Sequence, residues 1–254
     1  MTKLLAIIEN TFKEATRDRL LIALLVIGFL SIGSAKILKP LALGEEAKVI
    51  KDLGLATITF TAVLVAILVG GRLVYKEIEK RTIYIMLAKP VHRYQFVIGK
   101  YFGLLLVIFF TMTVLTGGLY LMLYISGIQA TYRLLLAIMM SFFELSIITS
   151  LALFFSTFAT PITASLFTFI VYFISNFTRD LKALAQISPS LVVKFLSNFF
   201  YYLLPNLSNF NIRGLVVHNA IINFSTISLS IIYAIIYSAL VLFLAIVIFH
   251  RKEF

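Results

Sequence analysis

Residues 75–101 read YKEIEKRTIYIMLAKPVHRYQFVIGKY and form the most densely charged part of a chain that is 61% hydrophobic. An apolar run long enough to cross a bilayer leads into this stretch, and another leads out of it. On a helical wheel the charges lie opposite a side that holds Ile78, Thr82 and Ile85, which predicts an amphipathic helix at the membrane surface. Pro90 disfavours helical geometry at Lys89 and suits the first turn of a new helix. The stretch therefore predicts a surface helix, an elbow and a spanning helix.

The same stretch carries a family resemblance. It contains the pattern Glu79-x-x-Thr82, Leu87, Lys89-Pro90, Arg93 and Gly99-Lys100. This pattern resembles the cytoplasmic coupling segment of ABC-2 type transporter permeases, and the order of charged and apolar segments fits that family along nearly the whole chain. Arg81 and His92 depart from it, because many relatives have glycine and a small polar residue there. The segment Leu204-Pro205-Asn206-Leu207, followed by Phe210-Asn211, is similar to one in the branch that includes the nitrous-oxide-reductase maturation permease.

The resemblance implies partners that this chain does not contain. Permeases of the family dock on a separate cytosolic ATPase subunit, which binds the ATP and Mg, and they pair two membrane subunits, here a homodimer or a heterodimer with a similar chain. The residues that the resemblance assigns to coupling are Glu77, Glu79, Lys80, Arg81, Thr82, Lys89, Pro90 and Arg93. The alternative is that these charges only solvate a cytoplasmic loop and fix its orientation.

Composition places the chain in a membrane. The mean hydropathy is +1.04 and the net charge is +11. No soluble domain needs so much apolar surface. The basic residues flank apolar runs, so we interpret them as topology signals and contacts to lipid headgroups, and we expect no nucleic-acid binding. The absence of cysteine excludes disulfides and thiolate chemistry.

The predicted fold is an all-α integral membrane domain, residues 1–254, with six spans. Residues 1–18 are expected to form an interfacial amphipathic helix, residues 72–98 the cytoplasmic coupling segment, and residues 179–226 an extracytoplasmic connection. The six spans are Leu20–Ala35, Leu53–Gly71, Tyr101–Tyr124, Leu134–Thr160, Pro161–Asn176 and Ile227–Phe249. The run Phe195–Leu204 is too short to cross, so it is re-entrant or interfacial.

Charge bias predicts the orientation. With six spans both termini share one side, and the larger share of the 22 Lys and Arg residues falls on that side. The positive-inside rule therefore puts both termini and the coupling segment in the cytoplasm of a prokaryotic cell, with the spans in its inner membrane. A cleaved signal peptide is the alternative for the first span, since Ser31 and Gly33 resemble a cleavage site, but the leader of residues 1–18 contains three acids and is long for one.

The chain contains no recognisable catalytic or metal motif. Its one Gly-Lys pair, Gly99-Lys100, lacks the glycine and the hydroxyl residue of a phosphate-binding loop, so we expect ATP hydrolysis in a partner. The three histidines, His92, His218 and His250, are scattered, which predicts no metal site.

Two further groups of residues are candidates for the solute route. Glu144 is the only acid well inside a predicted span, and Ser141 and Thr149 lie on the same broad side of that helix; together they form a candidate translocation path. The alternative is a protonated Glu144 that bonds a neighbouring helix. Pro205, Asn206 and Phe210 form a candidate extracytoplasmic gate, and the alternative is a simple turn before the last helix.

The function that these features favour is a permease subunit of an ABC transporter, acting as an exporter. One alternative is a membrane scaffold that anchors an ATPase without moving solute. Another is an integral-membrane enzyme that modifies lipid, which would need paired acids, a histidine base or metal ligands near the interface.

Overall fold

The computed structural model describes residues 2–37, 45–73, 92–188, 190–218, 220–221 and 223–251. Within these ranges every regular element is helical, which confirms the predicted all-α class. The helices are α1 (Thr2–Thr16), α2 (Arg19–Ser34), α3 (Glu46–Leu73), α4 (Arg93–Ile125), α5 (Arg133–Ser156), α6 (Pro161–Asn176), α7 (Thr178–Ile187), α8 (Leu191–Leu203), a 3-10 turn (Leu207–Asn209), α9 (Arg213–Val217) and α10 (Phe224–Arg251). Of the predicted coupling segment, residues 72–98, the first two residues end α3 and residues 93–98 begin α4, whereas residues 74–91 lie outside the described residues.

Helix length separates the helices that can cross a membrane from those that are too short to do so. In the described part of the chain, α3, α4, α5 and α10 are long and apolar enough to cross a membrane. Together, α6 and α7 are long and apolar enough to cross a membrane, but the two helices are bent by 55° relative to each other. They make a fifth span if they are one bent helix. Helix α2, the predicted first span, has 16 residues, or about 24 Å, which is short of the ~30 Å hydrocarbon core. Length alone thus supports four or five of the six predicted spans.

Helix α1 is amphipathic as predicted and lies against the first turns of α4. Its buried residues are Thr11 and Ala15, whereas Leu5, predicted to be on the apolar face, is 60% exposed. The buried face of α1 is the one that meets two glycines on α4. A Cβ added at Gly99 would come within 2.7 Å of Ile7, and one added at Gly103 would come within 2.6 Å of Thr11. Because glycine removes side-chain bulk, the two helices approach closely along this line.

Helix α3 occupies the centre of the bundle and packs against α2, α4, α5 and α6. Small residues, among them Gly70 and Gly71, permit this. A Cβ at Gly70 would lie 2.9 Å from Leu104, and one at Gly71 would lie 2.4 Å from the Ser165 hydroxyl. With little hydrophobic force between helices in lipid, such close van der Waals packing holds a bundle together. Gly118 also packs closely, whereas a Cβ at Gly117 would meet no described atom within 4 Å.

The ends of α4 and α5 follow local sequence rules. Helix α4 begins at Arg93, earlier than the predicted span at Tyr101, because the polar first turns are covered by α1. It ends at Ser126, after which Gly127 adopts a left-handed φ of 68° that a side chain would strain. Helix α5 ends at Ser156, and Pro161 opens α6 at its first position, as predicted.

The predicted extracytoplasmic connection contains short helices. Helices α7 and α8 pack against each other, and the run Phe195–Leu204 falls almost wholly within the 13-residue α8. At about 20 Å, α8 is too short to cross a bilayer, in agreement with the prediction. Whether it dips into the membrane or lies along it stays a prediction.

Candidate functional site

A polar cavity of about 220 Å³ lies between α3, α5 and α6, under the turn that leads into α9. It sits toward the end of the bundle where α3 and α5 begin and α6 ends. Its lining residues are Leu55, Thr59, Ala137, Ser141, Glu144, Tyr172, Asn176, Phe210, Asn211, Ile212 and Arg213. Three helices and one turn thus converge on one set of hydroxyl, amide and charged groups.

Glu144 is the buried acid of this cavity. Its side chain lies on α5, is only 4% exposed, and receives no hydrogen bond from any residue in the described ranges. One turn earlier on the same helix, the Ser141 hydroxyl lies 3.1 Å from the Thr59 hydroxyl of α3. The carboxyl group therefore faces a chamber that already holds hydroxyl oxygens, instead of an apolar wall.

Arg213 is the basic residue of the cavity, and it is already engaged. Its Nε lies 3.0 Å from Oδ1 of Asp52 on α3, in an ion pair that fastens α9 to the start of the bundle. Because Asp52 neutralises Arg213, the buried Glu144 decides the charge of the chamber when it is ionised.

The candidate path residues are only partly brought together. Ser141 and Glu144 both line the cavity, whereas Thr149 does not. Thr149 is fully buried and donates a hydrogen bond of 2.6 Å to the carbonyl oxygen of Leu145 on its own helix. It lies five residues beyond Glu144, about 140° further around α5, and so faces a different neighbour.

The candidate gate residues have distinct positions. Phe210 is 1% exposed and covers the cavity, with its ring 6.4 Å from that of Tyr233 on α10. Asn206 is held from two sides: its Oδ1 accepts a hydrogen bond of 2.9 Å from the Thr178 hydroxyl, and its backbone N–H donates to the Tyr233 hydroxyl at 3.0 Å. Pro205 is buried beside it. The segment is therefore fastened to both α7 and α10.

Most candidate coupling residues, namely Glu77, Glu79, Lys80, Arg81, Thr82, Lys89 and Pro90, lie outside the described residues. Arg93 is described, and its guanidinium donates hydrogen bonds to the carbonyl oxygens of Phe249, at 3.2 Å, and His250, at 2.8 Å. These carbonyls lie near the C-terminal end of α10, where a basic group is favoured by the negative end of the helix dipole. Phe96 stacks on Phe249 next to this contact.

Two ion pairs tie the N-terminal helices to the helices on either side of residues 74–91. Arg72, near the end of α3, contacts Oδ2 of Asp18 at 2.9 Å, and Asp18 also caps α2 by accepting from the N–H of Leu20 at 3.0 Å. Lys100 of α4, only 1% exposed, lies 3.9 Å from a carboxylate oxygen of Glu14. Both flanks of residues 74–91 are therefore anchored.

The family model described as ABC-2 family transporter protein matches residues 5–254. The chain belongs to the ABC-2 transporter family. It is accordingly a multi-pass membrane permease subunit, as the resemblance predicted, and membership implies an ATPase partner. No curated protein is significantly similar to the chain.

Sequence reasoning did not select several polar residues of the cavity in this ABC-2 permease, among them Thr59, Tyr172, Asn176 and Arg213. The first three are isolated polar residues in apolar helices, and this pattern could have marked them as candidate site residues. Nothing in the sequence indicated that they converge on Glu144, because they come from three separate helices.

The described part of this ABC-2 permease offers no group of three or more His, Cys, Asp or Glu that could hold a metal ion. Glu144 also has no second acid among the described cavity residues with which to divide acid and base roles. The cavity is suited to binding and desolvating a small solute.

Proposed function

We propose that this subunit receives ATP-driven movement from a cytosolic ATPase at residues 74–91 and uses it to export a solute. The observation that carries the proposal is the anchoring of both flanks. Arg72 is joined to the α1–α2 junction, and Arg93 is joined to the end of α10. A displacement of the segment between them would reach α3 and α4 directly, and α1 and α10 through these contacts.

The contact with the ATPase is assigned to Glu77, Glu79, Lys80 and Arg81, with Thr82, Lys89 and Pro90 shaping the elbow. Arg93 joins the elbow to α10. The charges of this segment match what a docking surface needs, since charged pairs at a rim fix orientation and register.

The assembly that we propose contains two permease subunits, taken as a homodimer, and two ATPases. Each permease crosses the inner membrane six times, with α2 and the α6–α7 pair as spans and both termini in the cytoplasm. Arg19, next to the short α2, can extend its charge to the interface and so compensate for the missing length.

The solute route that we propose runs through the Glu144 cavity. Ser141 and Glu144 supply polar contacts within the membrane, where charged or polar groups are costly and so mark functional paths. Thr149 faces a different neighbour of α5 and is not part of this route. Phe210 is the lid, and Pro205 and Asn206 hold the lid in place.

The test is a charge reversal in the purified complex. In vesicles that contain the permease and its ATPase, Glu79→Arg with Arg81→Glu should abolish solute-linked ATP hydrolysis while membrane insertion stays normal. The matched control reverses Glu9 and Lys13, an ion pair on the exposed face of α1. Unchanged coupling in the first variant would exclude the docking role. ATP hydrolysis that no solute stimulates would favour the scaffold.

A second experiment tests orientation. Reporter fusions placed at Ser126, in the α4–α5 connection, and at the C-terminus should report opposite sides of the membrane, with the C-terminus in the cytoplasm. An extracytoplasmic C-terminus would contradict the six-span proposal.

A further inference from the structure

The chamber around Glu144 is built for a ligand that the chain itself does not supply. A carboxylate taken out of water without a hydrogen-bond donor is strongly destabilised, and Glu144 is 4% exposed with no donor among the described residues. Replacement by an apolar residue of similar volume would remove that cost. The carboxyl group instead faces an open chamber, and this geometry fits a site whose missing donor arrives from outside.

We propose that this chamber binds a small organic ammonium ion, with Glu144 as its counter-ion. A primary ammonium group carries three N–H donors and no acceptor. The chamber offers four accepting groups for these three donors: the Glu144 carboxylate, the hydroxyl oxygens of Ser141 and Thr59, which lie 3.1 Å apart, and the amide oxygen of Asn176. A charge-assisted hydrogen bond in such a dry chamber is about twice as strong as a neutral one.

The charge of the chamber selects a cation. Arg213 is neutralised by Asp52 at 3.0 Å, so ionised Glu144 leaves one negative charge. An anionic solute would meet that charge in a low-dielectric surrounding, where repulsion is severe. An uncharged solute would bring no charge to balance an ionised carboxylate, so it would bind beside the protonated form of Glu144.

The size and ligand set of the chamber narrow the class further. A volume of about 220 Å³ admits an amine of a few carbons. Calcium and magnesium are poor candidates, because they prefer several carboxylate or carbonyl ligands, and the described residues supply a single carboxylate. The apolar side chains of Leu55, Ala137 and Ile212 would contact the carbon chain of the amine.

The position of the chamber under Phe210 suggests that the bound amine is the transported solute, and that part of the inference rests on the proposed function. Binding itself does not. A permease that binds amines without exporting them would overturn the transport proposal alone, and one that exports another solute without binding amines would overturn only this inference.

The experiment is calorimetric titration of the full-length permease in lipid nanodiscs with n-butylammonium, with empty nanodiscs as the blank. Three probes are matched against it: n-butanol, which has the size without the charge; tetramethylammonium, which has the charge without N–H donors; and sodium chloride. We expect saturable binding of n-butylammonium only. Equal binding of n-butanol would show an apolar pocket, and equal competition by sodium would show an inorganic cation site; either result would overturn the proposal.

Variants locate the binding. Glu144→Gln keeps the shape of the side chain and should weaken binding by at least about tenfold, and Thr59→Val should weaken it by a smaller factor. Glu9→Gln removes an exposed carboxylate of α1 and should leave binding unchanged. A thermal melt of each unliganded variant checks folding. If Glu144→Gln folds and binds n-butylammonium normally, or if Glu9→Gln weakens binding equally, the assignment is wrong.

Discussion

The ion pair between Asp18 and Arg72 offers the most direct test of how α1 and α2 are joined to α3. Asp18 has two separate functions: Oδ1 caps α2 through the N–H of Leu20, and Oδ2 pairs with Arg72 at 2.9 Å. Asp18→Ala removes both contacts. Asp18→Asn keeps an oxygen for the cap and removes the charge, so the two substitutions separate cap from ion pair.

The magnitudes follow from exposure. Loss of an N-cap costs about 1 kcal/mol. The ion pair is 37% exposed at Arg72 and 28% at Asp18, so it contributes no more than about 0.5–1 kcal/mol. We therefore expect a loss in the free energy of unfolding of about 1.5–2 kcal/mol for Asp18→Ala and about 0.5–1 kcal/mol for Asp18→Asn.

The assay is unfolding by SDS titration in mixed micelles, repeated with Arg72→Gln and with each double variant. The double-mutant cycle between Asp18→Asn and Arg72→Gln should give a coupling free energy of about 0.5 kcal/mol that shrinks at high salt. Equal losses for Asp18→Ala and Asp18→Asn would refute the capping role. A coupling of zero at low salt would refute the ion pair as a link between α2 and α3.

Three further substitutions probe packing and connection. Gly71→Val should destabilise the bundle by about 1–3 kcal/mol in the same assay. The new Cβ would lie 2.4 Å from the hydroxyl of Ser165 and 3.2 Å from the backbone nitrogen of Ser165. The control is Gly117→Ala, where a Cβ meets open space and should cause no loss of stability. Arg93→Gln should cost about 1–2 kcal/mol by removing the hydrogen bonds to the carbonyls of Phe249 and His250. Arg93→Lys should restore part of the loss, and an unaltered Arg93→Gln protein would contradict the contact. Asn206→Ala should cost about 1–2 kcal/mol, because it removes the oxygen that accepts hydrogen bonds from the Thr178 and Ser208 hydroxyls. It should also raise protease sensitivity near α7 and α9. Unchanged cleavage would show that other contacts hold the chain around Asn206.

Periodicity and hydropathy were sufficient to predict the longer helices, whereas α7 and α9 were not predicted. The amphipathic pattern of residues 1–18, the proline that opens α6 and the glycine that follows α4 are local signals, and the structure confirms all three. The number of spans is less certain because α2 is marginal in length and α6 is followed by a bend at Phe177, which depends on contacts that a sequence window does not contain.

Within the cavity helices, the sequence predicted only the site residues that lie together on one helix, α5. Glu144 and Ser141 are one turn apart on α5, so a single wheel indicates both. Thr59 and Arg213 reach the same chamber from other elements, and their convergence depends on how α3 and α9 dock. Likewise, the link from Arg93 to α10 spans 156 residues of sequence. Such contacts require the tertiary structure.

That long separation also bears on biogenesis. The carbonyl groups that Arg93 binds are translated 156 residues after it, so this joint cannot close until the intervening helices have entered the bilayer. A nascent chain stalled before α10 would lack the contact between Arg93 and the end of that helix. The contact that forms last therefore lies next to the segment where the ATPase is proposed to dock. Incomplete chains would lack this contact, and we expect them to dock less well.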